Sequence, residues 1–500
     1  MGKGKVALVG AGPGNPGLLT VRGRQLLEQA DVVVYDRLIC DDVLHHAPKA
    51  KKIYVGKERG NHSVPQEEIK EILVREAGEH SLVVRLKGGD PYLFGRGGEE
   101  AQVLRQNGIP FEVVPGITSA LAALAYTGIP VTHREAASSV HIITGHAKAG
   151  ELPEIDFAAL YRTKGTLVFL MAVSTMEFIT TGLLDAGMPA DTPAAVVENG
   201  TLPTQRKVTA PLGRMVEAAR QADVQSPAIL AVGGVCALEE ELDWFSHRPL
   251  FGRTVVVTRP ARRGGTLGDR LRELGAQVIS FPCIETTPAN LPQVCDVLER
   301  LASYGWLVLT SPQGVESLFQ ALDQLGKDVR LLAPVKIAVI GTGTAKALEA
   351  RGLRADYMPE QYDGVHLAKG LIPHIQPGER LLLLRAQAGT PEVTKILEQS
   401  SIDFDDIPCY TTQTLCPENR EETEALLRKG KVDWVTFTSA STVEGFAACI
   451  PQADRYPFTA ACIGASSQKA AGEKGYAAIQ AQNATIDYLL AAILEEESHE

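Results

Sequence analysis

Residues 81–100 read SLVVRLKGGDPYLFGRGGEE. An apolar run of strand length ends at Gly88, Gly89, Asp90 and Pro91, and open α/β sheets bind ligands at the carboxyl ends of their strands. A Gly-Gly turn brings backbone groups within reach of a ligand, and Asp90 adds a carboxylate acceptor for hydroxyl or ammonium groups. The plain alternative is a strand-to-helix turn in which Asp90 caps the turn. So many special residues in one place favour a ligand site on a parallel sheet.

A second glycine cluster lies upstream, in VALVGAGPGNPGLLT at 6–20. Gly10, Gly12 and Gly14 follow a strand and precede a helical stretch, but the third glycine of a dinucleotide fingerprint would fall at Asn15, and Pro13 stiffens the loop. A tight turn and a cofactor loop both remain open for this motif alone. Outward from these clusters the chain alternates apolar strands with amphipathic stretches, the pattern of α/β architecture with mostly parallel sheets. In the first half the strands are VALVG, DVVVYD, SLVVRLKG, HIITG, TLVFLM and AILAVGG; in the second they are TVVVTR, WLVLTS, KIAVIG, LLLLRA, WVTFTS and AACIG. The stretch DWFSHRPLFG interrupts the pattern near residues 244–252. It sets the expected organisation: a domain at 1–246, a linker at 247–251 and a domain at 252–497.

The second half repeats itself. GRTVVVTR at Gly252 answers GERLLLLR at Gly378, FPCIETT at Phe281 answers IPCYTTQ at Ile407, and WLVLTSPQGVESLF at Trp306 answers WVTFTSASTVEGF at Trp434. Two similar lobes follow, joined by the two Pro-containing extended pieces.

Composition narrows the function. The chain has 500 residues and a net charge of −11, and neither half is basic, which argues against nucleic acid as a partner. No apolar segment approaches the roughly 20 residues that cross a bilayer, and the first residues lack a signal-peptide pattern, so a cytoplasmic protein without membrane attachment is expected. Eight scattered cysteines form no C-x-x-C pair and no histidines have ligand spacing, so no metal is expected.

The motifs G-x-G-P-G at Gly10, YDRL at Tyr35, VGKERGNHSVPQEEI at Val55, RLKGGDPYLFGRGGEE at Arg85, VVPGITSA at Val113, GIPVTHR at Gly128, TGH at Thr144 and VENGT at Val197 together resemble uroporphyrinogen-III C-methyltransferase. The resemblance implies a two-lobed tetrapyrrole methylase fold, a homodimer, and transfer of two methyl groups from S-adenosyl-L-methionine to uroporphyrinogen III. Carried over, it implies cofactor contacts at Pro13, Gly88, Gly89, Asp90, Leu93, Thr118, Ser119, Met171 and Gly200. It also implies a proton acceptor at Asp36 and a donor at Lys57. Asn15 stands where the family commonly has Asp, and Ala172 where it has Gly. The substrate carries eight carboxylates, so Arg37, Arg59, Lys87, Arg96 and Arg134 are candidates to grip it.

Residues 252–495 resemble uroporphyrinogen-III synthase through TRP at Thr258, TS..GV at Thr310, GTGTAKAL at Gly341, the Pro-Cys-Tyr piece at Pro408, FTSAST at Phe437 and IG at Ile463. This implies a two-lobed module with parallel sheets, one lobe of about 252–284 plus 413–497 and one of about 285–412, that cyclises hydroxymethylbilane without a cofactor. Tyr410 is the candidate for a participating side chain, and Arg259, Ser311, Thr342, Ser439 and Thr442 are candidates for carboxylate binding. For the small hydroxyl residues, ordinary helix N-capping is the competing reading. The alternative for the whole chain is a methylase acting on another precorrin, joined to a tetrapyrrole-binding regulatory module.

Overall fold

Every residue from Val6 to Val9 is buried in the computed structural model, which describes residues 4–56, 64–146, 152–259, 267–389 and 391–499. Val6 and Leu8 pack on one side of their sheet with Val32, Val34 and Val83, while Ala7 and Val9 pack on the other with Val33, Val84 and Leu86. A strand covered on both faces needs apolar side chains at both parities, so it reads as a continuous apolar run. The sheet comprises β1 (Lys5–Gly10), β2 (Val32–Tyr35), β3 (Lys51–Tyr54), β4 (Leu82–Lys87) and β5 (Phe111–Val114) in the order β3-β2-β4-β1-β5. All of its pairings are parallel. From β1 the chain crosses towards β2, and from β4 it crosses the other way to β5. The β1–β4 boundary is therefore the switch point at which such sheets open a crevice.

A second sheet contains β6 (Val140–Thr144), β7 (Thr166–Leu170), β8 (Pro193–Glu198), β9 (Arg206–Pro211) and β10 (Ala228–Val232), ordered β6-β7-β10-β8-β9. Here the expectation of a mostly parallel sheet fails. Only β6–β7 is parallel, and β10 runs antiparallel to both of its neighbours. AILAV is apolar because it is central and covered on both faces, and that burial gives no information about strand direction.

The chain divides into two compact units, residues 1–252 and 253–500. Residues 247–251, expected to be a linker, instead pack onto the first unit. Leu250 is fully buried, and Phe251 stacks edge-on against Phe245, which contacts Trp244 and Tyr126. The His, Pro and Gly residues there shape a turn whose apolar members still find a core.

Asp243 anchors this segment. It accepts from Lys207 Nζ at 2.7 Å, from the backbone of Phe245 and Ser246, and from the Ser246 hydroxyl. Burial pushes its carboxyl up, but the hydrogen bonds from Lys207 and Ser246 overcome this and bring it down to about 2. An unfolded aspartate titrates near 3.9, so this stabilisation is complete above that pH and is lost as pH falls towards 2. Asp243→Asn is therefore expected to flatten the acid limb of unfolding between about pH 4 and 2, by on the order of 1 kcal/mol. Thermal midpoints of both proteins across that range test this.

The second unit has two further sheets. One contains β11 (Thr254–Val257), β12 (Gln277–Ser280), β18 (Trp434–Phe437), β19 (Thr459–Cys462) and β20 (Ala478–Gln480) in the order β12-β11-β18-β19-β20, all parallel. The other contains β13 (Ile284–Pro288), β14 (Trp306–Leu309), β15 (Lys336–Val339), β16 (Leu381–Ala386) and β17 (Phe404–Thr414) in the order β13-β17-β16-β14-β15. The first sheet thus takes strands from the beginning and end of the unit, and the second takes the middle. The two crossings between them are β13 and the far end of β17, which pair antiparallel from Ile284↔Thr414 to Pro288↔Tyr410.

Candidate functional site

The crevice at the β1–β4 boundary is built from backbone in close approach. Gly12 and Gly89 exchange hydrogen bonds, with N···O distances of 3.3 and 2.8 Å. A Cβ on Gly116 would lie 2.0 Å from Gly89 O, and one on Gly10 would lie 2.4 Å from Gly116 Cα. Three loops can meet there only because these positions carry no side chain. Asp90 ties them together: Oδ1 accepts from Tyr92 N at 2.8 Å and Leu93 N at 3.1 Å, and Oδ2 accepts from Gly116 N at 3.0 Å. The turn-capping role weighed against ligand binding is therefore present. Each carboxylate oxygen can accept more than one bond, so Asp90 keeps some acceptor capacity.

The second lobe supplies the facing wall. Thr118 caps the helix Ser119–Ala125 through a bond from Ala120 N, and this small-residue helix presses on Gly200, where a Cβ would lie 2.3 Å from that of Ala123. Met171 follows β7 with φ 55° and remains 47% exposed. A non-glycine residue in that region is strained, and such strain concentrates at ligand sites. The departure at Asn15 also has a cause. Its side chain accepts from Gly17 N and donates to Tyr126 Oη at 3.1 Å, a donation that Asp cannot make. Ala172 is buried, so the departure there faces inward.

A cavity of about 530 Å³ opens beside this crevice, lined by Asp36, Arg37, Leu38, Gly56, Lys87, Gly88 and Gly95. Beneath it lies a charge network. Arg85, fully buried, donates through Nη2 to both Asp36 oxygens at 2.8 and 3.0 Å and through Nε to Glu100 Oε1 at 3.3 Å. Glu100 Oε1 also accepts from Lys87 Nζ at 2.8 Å and Gln66 Nε2 at 3.0 Å. Two cations balance two carboxylates, as buried charges require. The expectation that Lys87 is a free substrate-gripping cation needs correction. It is 4% exposed, and burial together with neighbouring Arg85 lowers its ammonium below the usual lysine range. Arg85 and Glu100 escaped the sequence reading, although Arg85 stands conspicuously inside an apolar strand.

Arg37 and Arg134 are exposed, and Arg96, at φ 58°, forms a two-bond fork with Glu99. Lys57 and Arg59 lie outside the described residues.

In the second unit, hydroxyl loops follow the strands at their carboxyl ends, but most are engaged in capping. Ser311 caps the helix Pro312–Gln324 through Gly314 N at 3.1 Å. Ser439 and Thr442 form a reciprocal capping box, and Thr442 is 1% exposed with its hydroxyl donating to Ser439 O at 2.7 Å. Carboxylate binding by Thr442 is therefore corrected to helix capping. Thr342 opens its own helix behind Gly341 and is half-buried, as is Arg259 after β11. Tyr410 is 9% exposed, its ring part of the lobe-two core. Burial raises its hydroxyl above the usual tyrosine range, and the neighbouring Ser311 hydroxyl opposes that rise. Tyr410 is thus a core residue whose hydroxyl meets the Ser311 loop.

Comparison with known proteins agrees with this division. Residues 5–216 match the family Tetrapyrrole (Corrin/Porphyrin) Methylases, and residues 266–491 match Uroporphyrinogen-III synthase HemD. The Porphyrin biosynthesis protein HemD of Ruminiclostridium josui is 47% identical over 499 residues, covering 99% of this chain and 98% of that protein. The chain belongs to the HemD family of porphyrin biosynthesis proteins. A siroheme synthase of Enterobacter sp. (strain 638) is 52% identical over 246 residues, 49% of the HemD-family chain and 53% of the synthase, so the chain spans about half the length of that relative. Among solved structures, the uroporphyrin-III C-methyl transferase from Thermus thermophilus complexed with S-adenyl homocysteine is 44% identical, with a TM-score of 0.41, covering 47% of this chain and 99% of that one. The HemD-family chain is thus a bifunctional protein of tetrapyrrole biosynthesis, with a methylase half followed by a synthase half.

Proposed function

We propose that the first unit methylates uroporphyrinogen III twice to precorrin-2 with S-adenosylmethionine, and that the second closes hydroxymethylbilane to uroporphyrinogen III. The observation that carries the first half is the Asp36 carboxylate, held in an Arg85 fork on the wall of a cavity beside a backbone crevice. S-adenosylmethionine, when bound, supplies an electrophilic methyl group. The glycine crevice fits it, since Gly88, Gly89 and Pro13 offer close backbone, Asp90, Thr118 and Ser119 offer polar contacts, and Leu93, Met171 and Gly200 offer apolar or small walls. A pyrrole carbon that gains a methyl must lose a proton, and Asp36 is assigned to accept it. Lys57 is assigned proton donation, and Arg37, Arg59, Arg96 and Arg134 the carboxylates of the substrate. A homodimer through this half and a cytoplasmic location belong to the same reading.

For the second unit, backbone donors and hydroxyls at the strand ends hold carboxylates, with Arg259, Ser311, Thr342 and Ser439 as the contacts. Tyr410 acts through the Ser311 loop, and no cofactor is required. Orientation of a flexible bilane supplies most of the catalysis. The deciding experiment incubates the full chain with hydroxymethylbilane and S-adenosylmethionine. Precorrin-2, identified by mass and isomer analysis, is the expected product. Uroporphyrinogen I alone would overturn the second assignment, and unmethylated uroporphyrinogen III would overturn the first.

A further inference from the structure

Cys416 Sγ lies 2.7 Å from Cys449 Sγ, within about 1 Å of the bonded sulfur–sulfur distance. The pair sits where β17 enters lobe one. Cys416 follows that strand by two residues and is exposed, whereas Cys449 ends the helix Ala440–Cys449 and is buried. Three contacts fix the geometry. Cys449 Sγ donates to Leu415 O at 3.4 Å, Arg420 Nε donates to Cys449 O at 2.7 Å, and Leu415 N donates to Cys283 O at 3.0 Å. Cys283 immediately precedes β13, so the sulfur pair stands at the shared root of both crossings between the lobes.

We propose that Cys416 and Cys449 form a reversible disulfide, made by exchange with small-molecule disulfides, that clamps the lobe-one end of the β13–β17 ladder. In the first step Cys416 gives up its proton, attacks one sulfur of the reagent and displaces one thiolate, which takes up a proton. Cys449 then loses its proton and attacks Cys416 Sγ. A disulfide bond forms, the mixed disulfide breaks, and the second small thiol leaves. The two protein thiols are oxidised and the reagent disulfide is reduced to two thiols. Cys416 is the entry point because it is exposed, and Cys449 resolves because, among the described residues, no other sulfur lies so close to it. Burial, with Cys416 beside it, pushes the Cys449 thiol up to about 12, so the second step is the slow one. Transient disulfides serve redox sensing, which suits a bond that links residues 33 apart at the crossing between the lobes.

This inference does not rest on either catalytic assignment, and its test reads chemistry rather than activity. The full chain is treated with oxidised glutathione, quenched with acid, denatured and alkylated. Titratable thiols are expected to fall from eight to six. Trypsin is expected to release peptide 396–420 joined to peptide 432–455, and dithiothreitol to separate them. Peptide 396–420 also contains Cys409, so Cys416→Ser provides the control, and its exposed position spares the core. The cross-link should vanish in that variant. Amide exchange at residues 415–420 should slow roughly 10-fold or more on oxidation of the wild type alone. Persistence of the cross-link in Cys416→Ser, a reaction that stops at glutathionylated Cys416 with Cys449 free, or unchanged exchange in the cross-linked chain would each overturn the proposal.

Discussion

Asp36→Asn is expected to slow methyl transfer on the order of 100-fold or more, while cofactor affinity stays within a few-fold of wild type. The variant keeps the shape of the side chain and removes its capacity to take a proton. Asp36 is not among the residues assigned to the cofactor, so those contacts are spared. A stability cost accompanies the change. Arg85 Nη2 gives bonds of 2.8 and 3.0 Å to the two Asp36 oxygens, and an amide replaces one of those acceptors with a donor. Arg85 is fully buried and its remaining bonds go to Glu100 and to two backbone carbonyls, so no water takes over the lost acceptor easily. A loss of about 1–3 kcal/mol in denaturant unfolding follows from weakening a charged hydrogen bond. The two effects separate under single-turnover conditions with saturating cofactor at a temperature where the variant is folded. A rate within threefold of wild type there removes Asp36 from proton transfer.

The network around Asp36 shows where sequence reading stops. The strand and glycine turn at 81–100 were legible because burial on both faces imposes a continuous apolar run, and a sharp turn imposes Gly-Gly-Asp-Pro. Asp36 was legible as a strand-terminal carboxylate. Its anchor was not, because the fork depends on β2 and β4 being neighbours, a fact of strand order carried by no local pattern. Lys87 failed for the same reason. Its partner Glu100 lies on a helix thirteen residues onward, and only the folded chain shows that the pair is buried. At β10 burial hid direction. At Thr442 a capping box and a ligand loop share one composition, and only hydrogen-bond partners tell them apart. The internal repeat was more informative, since recurring strands and a recurring Pro-Cys piece required two lobes and two crossings, as β13 and β17 show.

A fragment of residues 252–500 is expected to fold alone and convert hydroxymethylbilane to the III isomer without S-adenosylmethionine. Its contacts close on themselves. Arg253 Nε lies 2.6 Å from Glu497 Oε2, and Thr254 N donates to Asp433 Oδ2 at 2.6 Å, so the first strand of the fragment is fastened to its own later elements. Each lobe has a core of its own, around Phe281, Phe437 and Phe446 in one and around Leu307, Leu318 and Leu382 in the other. The cut belongs after Phe251, because Leu250 and Phe251 pack on the first unit and would expose apolar surface if carried along. Hydroxymethylbilane closes spontaneously to the I isomer, so the III:I ratio measures catalysis against that background. Tyr410→Phe is expected to lower the rate about 5-fold, since it removes the hydroxyl beside the Ser311 loop and leaves the ring in its core position. A larger loss with unchanged stability would make the hydroxyl a direct participant. If the folded fragment gives the isomer ratio of buffer alone, the second unit binds tetrapyrroles without cyclising them, and regulation of the methylase becomes its assignment.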